Sequence, residues 1–219
     1  MLYFNKNYQR GHIILTNQDI RARAREALGG KLFDSPWLYP VLVVLVSMVA
    51  SSAISYTTYG AGSLIISGLI SVALSGYFLT IIKFKGTHTN LSVCIDTIKH
   101  DIPGNILLGF LYAVFVTLWT LLLIIPGIIK YLSYSMAFYI KAENPEISAT
   151  DALKESMRMM KGHKWEFFCL QFSFIGWYIV GALCLGIGTL WVSAYNYTAN
   201  TIFYDRIKNE TAIPVLEVK

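Results

Sequence analysis

Charged residues are scarce in this sequence of 219 residues, at 14% of the chain against 55% hydrophobic residues. A soluble globular domain carries about a quarter charged residues. Mean hydropathy is correspondingly high, at +0.51. A chain this apolar cannot hide its side chains from water by folding alone. We therefore expect lipid to surround much of it and predict an all-α integral membrane protein.

Cysteine is also rare, and its placement excludes two classes of protein. The three cysteines (Cys94, Cys169, Cys184) are far apart, and none belongs to a Cys-x-x-Cys pair. A disulfide framework or a zinc site is therefore not expected. The first apolar run begins near Trp37, which is too deep for a signal peptide, and further apolar runs follow it.

Catalytic motifs are missing as well. The sequence has no His-Glu-x-x-His and no Gly-x-Ser-x-Gly, and its four histidines are scattered among polar segments. No acidic residue lies deep in an apolar run, where a proton-coupled transporter usually has one. We predict no catalytic residue, no metal site and no cofactor. Net charge is +5, but the basic residues are confined to polar segments, so nucleic acid is not an expected partner.

Six apolar segments are present, and we interpret them as membrane spans. They cover residues 37–56, 63–82, 105–125, 128–140, 165–184 and 189–204. Breaks at Pro126-Gly127 and at Gly186 to Gly188 divide the later runs, which are too long for one crossing of about 20 residues. The alternative of four long spans is excluded on length. The predicted fold is three helical hairpins, at about 37–82, 105–140 and 165–204.

The basic residues predict the orientation of these spans. Lys130 is the exception among 18 lysines and arginines, because the other 17 fall in segments on one side of the six-span arrangement. Both termini are therefore expected in the cytoplasm. The chain divides into a leader at 1–16, one membrane domain at 17–207 and a cytoplasmic tail at 208–219.

Similar polar segments precede the hairpins and indicate an internal repeat. Residues 19–30 resemble residues 151–162 at a shift of 132, and residues 92–104 are a weaker copy. Each hairpin also returns through an aromatic pair followed by a charge. We predict three copies of one unit, which consists of an amphipathic helix, a glycine and a hairpin.

The two clearest amphipathic helices are predicted at 17–30 and 148–162. Their apolar stripes are Ile20, Ala24 and Leu28 in the first copy, and Leu153, Met157 and Met160 in the second. Such helices would lie at the inner membrane surface, with their basic faces towards anionic headgroups. They could sense the membrane, dock a partner or serve as a structural collar.

Serines recur at a spacing of four residues in the first two spans. Ser51 and Ser55 share one helix face, and Ser63 and Ser67 share another. Small residues in a row allow two helix backbones to approach closely, so we interpret these serines as packing residues. A polar conduit is the alternative.

Polar residues inside the later spans form a second candidate site. Lys130 and Tyr134 lie in the fourth span, and Tyr195, Asn196 and Asn200 lie in the sixth. Lys130 would either extend to the outer interface or pair with another group. The whole set could form a site for a lipid headgroup or a peptide, or only hydrogen bonds between helices.

Three stretches resemble a known family. They are Leu123-Ile-Ile-Pro-Gly-Ile-Ile-Lys-Tyr-Leu-Ser-Tyr-Ser-Met-Ala-Phe-Tyr-Ile140, Asn144-Pro-Glu-Ile-Ser148, and residues 155–165. Together they are similar to the bacterial domain of unknown function 975 family, over roughly 17–206. The resemblance implies a multi-pass protein of the bacterial cytoplasmic membrane, without an established activity and without catalytic residues to transfer.

These observations favour a non-enzymatic membrane protein that binds lipid, peptide or a membrane-protein partner. Its expected role is in envelope maintenance or stress resistance. A small transporter or channel is the alternative, and a membrane-embedded enzyme is the third possibility. The missing carboxylates argue against the transporter, and the missing nucleophile and base argue against the enzyme.

Overall fold

A computed structural model of the chain describes residues 16–29, 35–57, 61–83, 92–183 and 186–212, and over these residues it is helical without strands. The helices are α1 (Asn17–Ala27), α2 (Ser35–Thr57), α3 (Ala61–Lys83), α4 (Ser92–His100), α5 (Ile102–Leu122), α6 (Ile124–Tyr134), α7 (Ala137–Glu143), α8 (Ala149–Met159), α9 (Lys164–Leu183) and α10 (Gly188–Ala212). The all-α prediction is confirmed.

Four of the predicted spans coincide with single helices, because long apolar runs fix helix length well. They are α2, α3, α5 and α9. The last helix, α10, also begins where predicted but continues to Ala212. It therefore carries Lys208 and Glu210 of the predicted tail in the same helix as the sixth apolar segment.

The break in the second hairpin was predicted at the wrong residue. Leu123 is the extended residue between α5 and α6, with φ −160° and ψ 136°. Pro126 and Gly127 instead lie in the first turn of α6, where proline is tolerated because the N–H groups there have no partner within the helix. Gly127 packs on Thr120 of α5, and an added Cβ would lie 2.7 Å from the Thr120 Cα. The glycine therefore closes the hairpin instead of ending a helix.

The predicted fourth span is also not one helix. It is divided into α6 and α7 at Ser135 and Met136. Ser156 of α8 fills this break, since its hydroxyl accepts from the Met136 N–H at 3.2 Å and donates to the Ser133 carbonyl at 2.8 Å. Ser156 is completely buried. One side chain thus satisfies a donor and an acceptor that the interrupted helix leaves without intrahelical partners.

Helices α1 and α8 occupy the predicted amphipathic segments and begin in the same way. Thr16 caps α1 with Asp19 at the third position, and Ser148 caps α8 with Asp151 at the third position, again at a shift of 132. Both end near a glycine with a left-handed backbone, Gly29 at φ 90° and Gly162 at φ 94°.

The apolar faces of these helices lie against the chain itself. Ile20, Ala24 and Leu28 are completely buried in the main hydrophobic cluster. In α8, Leu153 and Met160 of the predicted stripe are buried, while Met157 is half-buried. The stripes were therefore predicted largely correctly, and what covers them is protein.

Two of the described helices are long and apolar enough to cross a membrane, namely Ile102–Leu122 and Lys164–Leu183. Only 17% and 22% of their most apolar windows are buried inside the protein. These helices therefore differ from the core helices of a soluble protein, which are mostly buried. The arrangement of six spans stays a prediction.

A close approach of two helices involves glycine. At Gly68 of α3, an added Cβ would lie 2.9 Å from the Gly109 backbone of α5 and even closer to the Asn105 carbonyl oxygen. Ser51 and Ser67 are both exposed, and the Ser51 hydroxyl donates to the Ser47 carbonyl of its own helix. The side chains of Ser55 and Ser63 lie outside the described residues. The packing role of the four serines stays a prediction.

Candidate functional site

A buried lysine joins the two ends of the second hairpin. Lys141 of α7 is 1% exposed, and its ammonium donates to Asp101 at 2.5 Å and to the carbonyls of Pro145 and Ile147 at 2.7 Å each. The three donors of the ammonium therefore have three acceptors. The hydrogen bond from Lys141 is the main reason that the pKa of Asp101 lies below its usual range. A buried charge satisfied in this way fixes the base of the hairpin.

The third hairpin is joined by an equivalent pair. Arg206 of α10 is 6% exposed, and it contacts both carboxylate oxygens of Glu166 at 2.5 Å. The positions match those of the second hairpin at one shift, because 206 − 141 = 65 and 166 − 101 = 65. The two hairpins therefore repeat a carboxylate at the start of the outgoing helix and a buried cation near the end of the returning one.

Glu143 connects the three hairpins to one another. Its carboxylate accepts from Lys83 of α3 at 2.8 Å, from Lys208 of α10 at 2.7 Å and from the Tyr204 hydroxyl at 2.8 Å. Burial alone would raise the pKa of Glu143, but the hydrogen bonds from Lys208, Lys83 and Tyr204 outweigh it and lower the pKa to about 2. The carboxylate is therefore ionised at neutral pH.

Two contacts between the second and third hairpins join positions that are equivalent in the repeat. Glu143 pairs with Lys208, and Tyr139 stacks on Tyr204 with ring centroids 5.4 Å apart. Both pairs are separated by the shift of 65. Equivalent residues of α7 and α10 therefore contact one another through their side chains.

The predicted polar residues of the fourth segment lie together. The ammonium of Lys130 is 5.0 Å from the Trp119 ring centroid and 5.8 Å from that of Tyr134. These distances are within the range of cation–π attraction. Lys130 therefore contacts aromatic rings of its own hairpin, and its extension to the outer interface stays a prediction.

The predicted polar residues of the sixth segment have separate partners. The Tyr195 hydroxyl donates to the Arg21 carbonyl at 3.0 Å, and Asn196 donates to the Tyr178 hydroxyl at 3.3 Å. Asn200 accepts from Gln171 of α9 at 2.5 Å. These are hydrogen bonds between helices.

A cavity of about 500 Å³ lies where α1 meets α9 and α10. Its lining consists of Gln18, Asp19, Arg21, Ala22, Arg25, Trp177 and Tyr195. Two guanidinium groups thus face one carboxylate, and Asp19 is already the acceptor for the N–H and hydroxyl of Thr16. Trp177 is 52% exposed. The cavity combines unneutralised positive charge with a large aromatic surface, which suits an anionic amphiphile.

The sequence signalled this geometry only in part. Tyr195 and the basic face of the first amphipathic helix are predicted features, but their meeting is not, since nothing in the sequence places α1 beside α10. The buried pairs carried a readable signal in the repeat of Phe-Tyr-x-Lys at 138–141 and Phe-Tyr-x-Arg at 203–206. Within the described part of the chain, no group of three or more His, Cys, Asp or Glu residues could hold a metal ion.

Comparison with known proteins gives one match. Residues 93–211 match the model of a family described as "Protein of unknown function (DUF975)". No curated protein and no solved structure matches the chain. The matched region runs from α4 to α10 and so contains both hairpins related by the shift of 65. Because the match spans more than half of the sequence, the chain belongs to this DUF975 family.

Proposed function

We propose that this chain is a non-enzymatic protein of the bacterial cytoplasmic membrane that binds anionic lipid. It would cross the membrane as three hairpins with both termini in the cytoplasm. Its contribution would be to envelope maintenance or stress resistance through the lipids it holds.

The observation that carries the membrane assignment is the exposed apolar surface at one end of the second hairpin. Leu121 to Ile125 are five consecutive apolar residues, each at least 62% exposed. Water would make so large an apolar patch unfavourable, whereas lipid would not. The ion pairs of Asp101, Glu143 and Glu166 lie at the opposite ends of the same hairpins, as expected for an interface with cytoplasm.

Binding of lipid is favoured over transport by the way the polar residues are used. Lys130, Asn196 and Asn200 each contact neighbouring helices of the same chain. Such contacts consume the polar groups that would otherwise line a conduit. The charged cavity beside α1, by contrast, is open to a ligand.

The membrane topology can be tested by labelling with an impermeant thiol reagent. In a background without native cysteines, Ile187→Cys should react in intact cells, because Ile187 is exposed at the turn between α9 and α10. Thr150→Cys, at the exposed start of α8, should react only after the cells are opened. Equal labelling of the two sites in intact cells would contradict the topology.

Lipid binding can be tested in nanodiscs that contain phosphatidylglycerol and phosphatidylcholine at a ratio of about one to nine. The purified chain should retain phosphatidylglycerol in excess of that ratio when the bound lipids are quantified by mass spectrometry. Retention in proportion to the supplied mixture would refute anionic lipid binding.

A further inference from the structure

We infer that the cavity between α1, α9 and α10 is a binding site for the phosphate headgroup of an anionic phospholipid, with Arg21 and Arg25 as its ligands. The inference rests on the proposed function and assigns it to a particular place. The same chemistry would recognise a soluble phosphate ester, and the experiment below separates these two sources.

The position of α1 is fixed by hydrogen bonds to both neighbouring helices. Asn17 donates to the Glu166 carbonyl near the start of α9, at 3.2 Å. Tyr195 of α10 donates to the Arg21 carbonyl. Because Ile20 and Ala24 are completely buried on the opposite face, the helix cannot rotate without exposing its apolar side. The helix that carries the two arginines is therefore held in place by packing.

The cavity lies part-way along the apolar helix α9. Trp177 lies eleven residues beyond Glu166 along α9, which is about 16 Å of helix. Side chains in a helix lean towards its N-terminus, so the indole returns part of that distance towards Glu166. The two arginines thus share a cavity with a residue from the apolar part of α9. Charged side chains beside apolar helix surface need anionic partners.

Charge and shape select the ligand class. Arg21 and Arg25 exceed the single carboxylate of Asp19, and guanidinium groups match phosphate oxygens geometrically. Beyond Trp177, the exposed side chains of α9 continue as Ile179, Val180 and Leu183. These residues offer an acyl chain an apolar path away from the arginines. A phosphate group with an attached chain therefore fits better than a free anion.

The second hairpin provides a comparison, because Trp119 of α5 and Trp177 of α9 each lie in the first helix of a hairpin. In the second hairpin, the Trp119 ring lies beside the ammonium of Lys130. In the third hairpin, Trp177 lines a cavity with two arginines. Each tryptophan therefore has a cation nearby, but at Trp177 there is room left for a ligand.

The test compares variants of the full chain in the nanodiscs described above. Arg21→Gln/Arg25→Gln should lower the excess of phosphatidylglycerol at least tenfold, and Arg25→Gln alone should lower it severalfold. Arg23→Gln is the matched control, because Arg23 is exposed on the same helix but does not line the cavity. It should stay within twofold of the parent chain.

Soluble glycerol phosphate separates the two sources of phosphate, and the competition uses the parent chain. If the ligand is a lipid, millimolar glycerol phosphate should not displace phosphatidylglycerol, and Trp177→Ala should weaken retention severalfold. Displacement by glycerol phosphate would overturn the lipid assignment. An equal loss in Arg23→Gln and Arg25→Gln, or a loss in neither, would overturn the site while leaving lipid binding by the chain intact. If the parent chain shows no excess of phosphatidylglycerol, the proposed function fails together with the site. Arg25 is exposed, so Arg25→Gln leaves the buried face of α1 unchanged, and melting temperatures of all variants would verify this.

Discussion

Ser156→Ala is expected to destabilise the protein far more than the loss of one hydroxyl usually does. The substitution removes the partner of the Met136 N–H and of the Ser133 carbonyl at the break between α6 and α7. Ser156 is completely buried, so water has no direct access to replace it. Each buried backbone group left without a partner costs about 1–3 kcal/mol. With two such groups, the free energy of unfolding should therefore fall by about 2–6 kcal/mol.

Thermal unfolding of the purified protein in detergent, followed by circular dichroism, would measure this loss. For a chain of this size, 1 kcal/mol corresponds to about 2–4 °C in Tm, so a decrease of at least about 4 °C is expected. Ser133→Ala is the matched control, because the Ser133 hydroxyl donates only to the Ile129 carbonyl within its own helix, at 2.6 Å. Its Tm should change by no more than about 2 °C. If the two variants lose the same stability, the break does not depend on Ser156, and the reasoning is refuted.

Three further predictions concern packing and charge. Gly68→Ala should lower the free energy of unfolding by about 1–3 kcal/mol, because the new Cβ would overlap the backbone of α5. Gly176→Ala is the control and should have no such cost, because nothing lies within 4 Å of its added Cβ. Equal losses in the two variants would contradict the close approach. Lys141→Met should lower the free energy of unfolding by about 3 kcal/mol, because it leaves Asp101 without its cation. Adding Asp101→Asn should restore part of that free energy, as measured by chemical denaturation. A double variant with no restored stability would argue against the pair. Because the pKa of Glu143 is lowered to about 2, the parent chain should be more stable than Glu143→Gln by a constant free energy from pH 7 to about 5. That difference in the free energy of unfolding should then decrease as the pH falls towards 2. If the difference is lost already above pH 5, the ion-pair network is contradicted.

The length of the helices could be predicted from the sequence because apolar run length is a direct physical signal. The capping residues Thr16 and Ser148 were also readable, since a hydroxyl followed by Asp at the third position is a local pattern. The position of the break at Leu123 was not, because Pro126 fits both the end of one helix and the first turn of the next. Local rules cannot choose between these alternatives.

The candidate site was less predictable than the fold because its contacts are long-range. Ser156 is a polar residue on the buried face of α8, and only the break opposite it explains its place there. At the end of the third hairpin, Asp205 is the first charge after the aromatic pair, but the buried ion pair is made by the second charge, Arg206. The meeting of Arg21 with Tyr195 joins residues 174 positions apart. No periodicity within either helix signals such a contact.

The pairing of Glu143 with Lys208 has a consequence for how such a protein can diversify. In a symmetrical dimer of two identical hairpins, a residue on the two-fold axis faces its own copy, so an acidic residue there would meet another acidic residue and be repelled. Two hairpins in one chain escape this constraint, since each copy of the position is encoded separately. One copy here is acidic and the other basic, which turns a site of self-repulsion into an attraction. The asymmetry between the hairpins is thus a gain that only the fused arrangement allows.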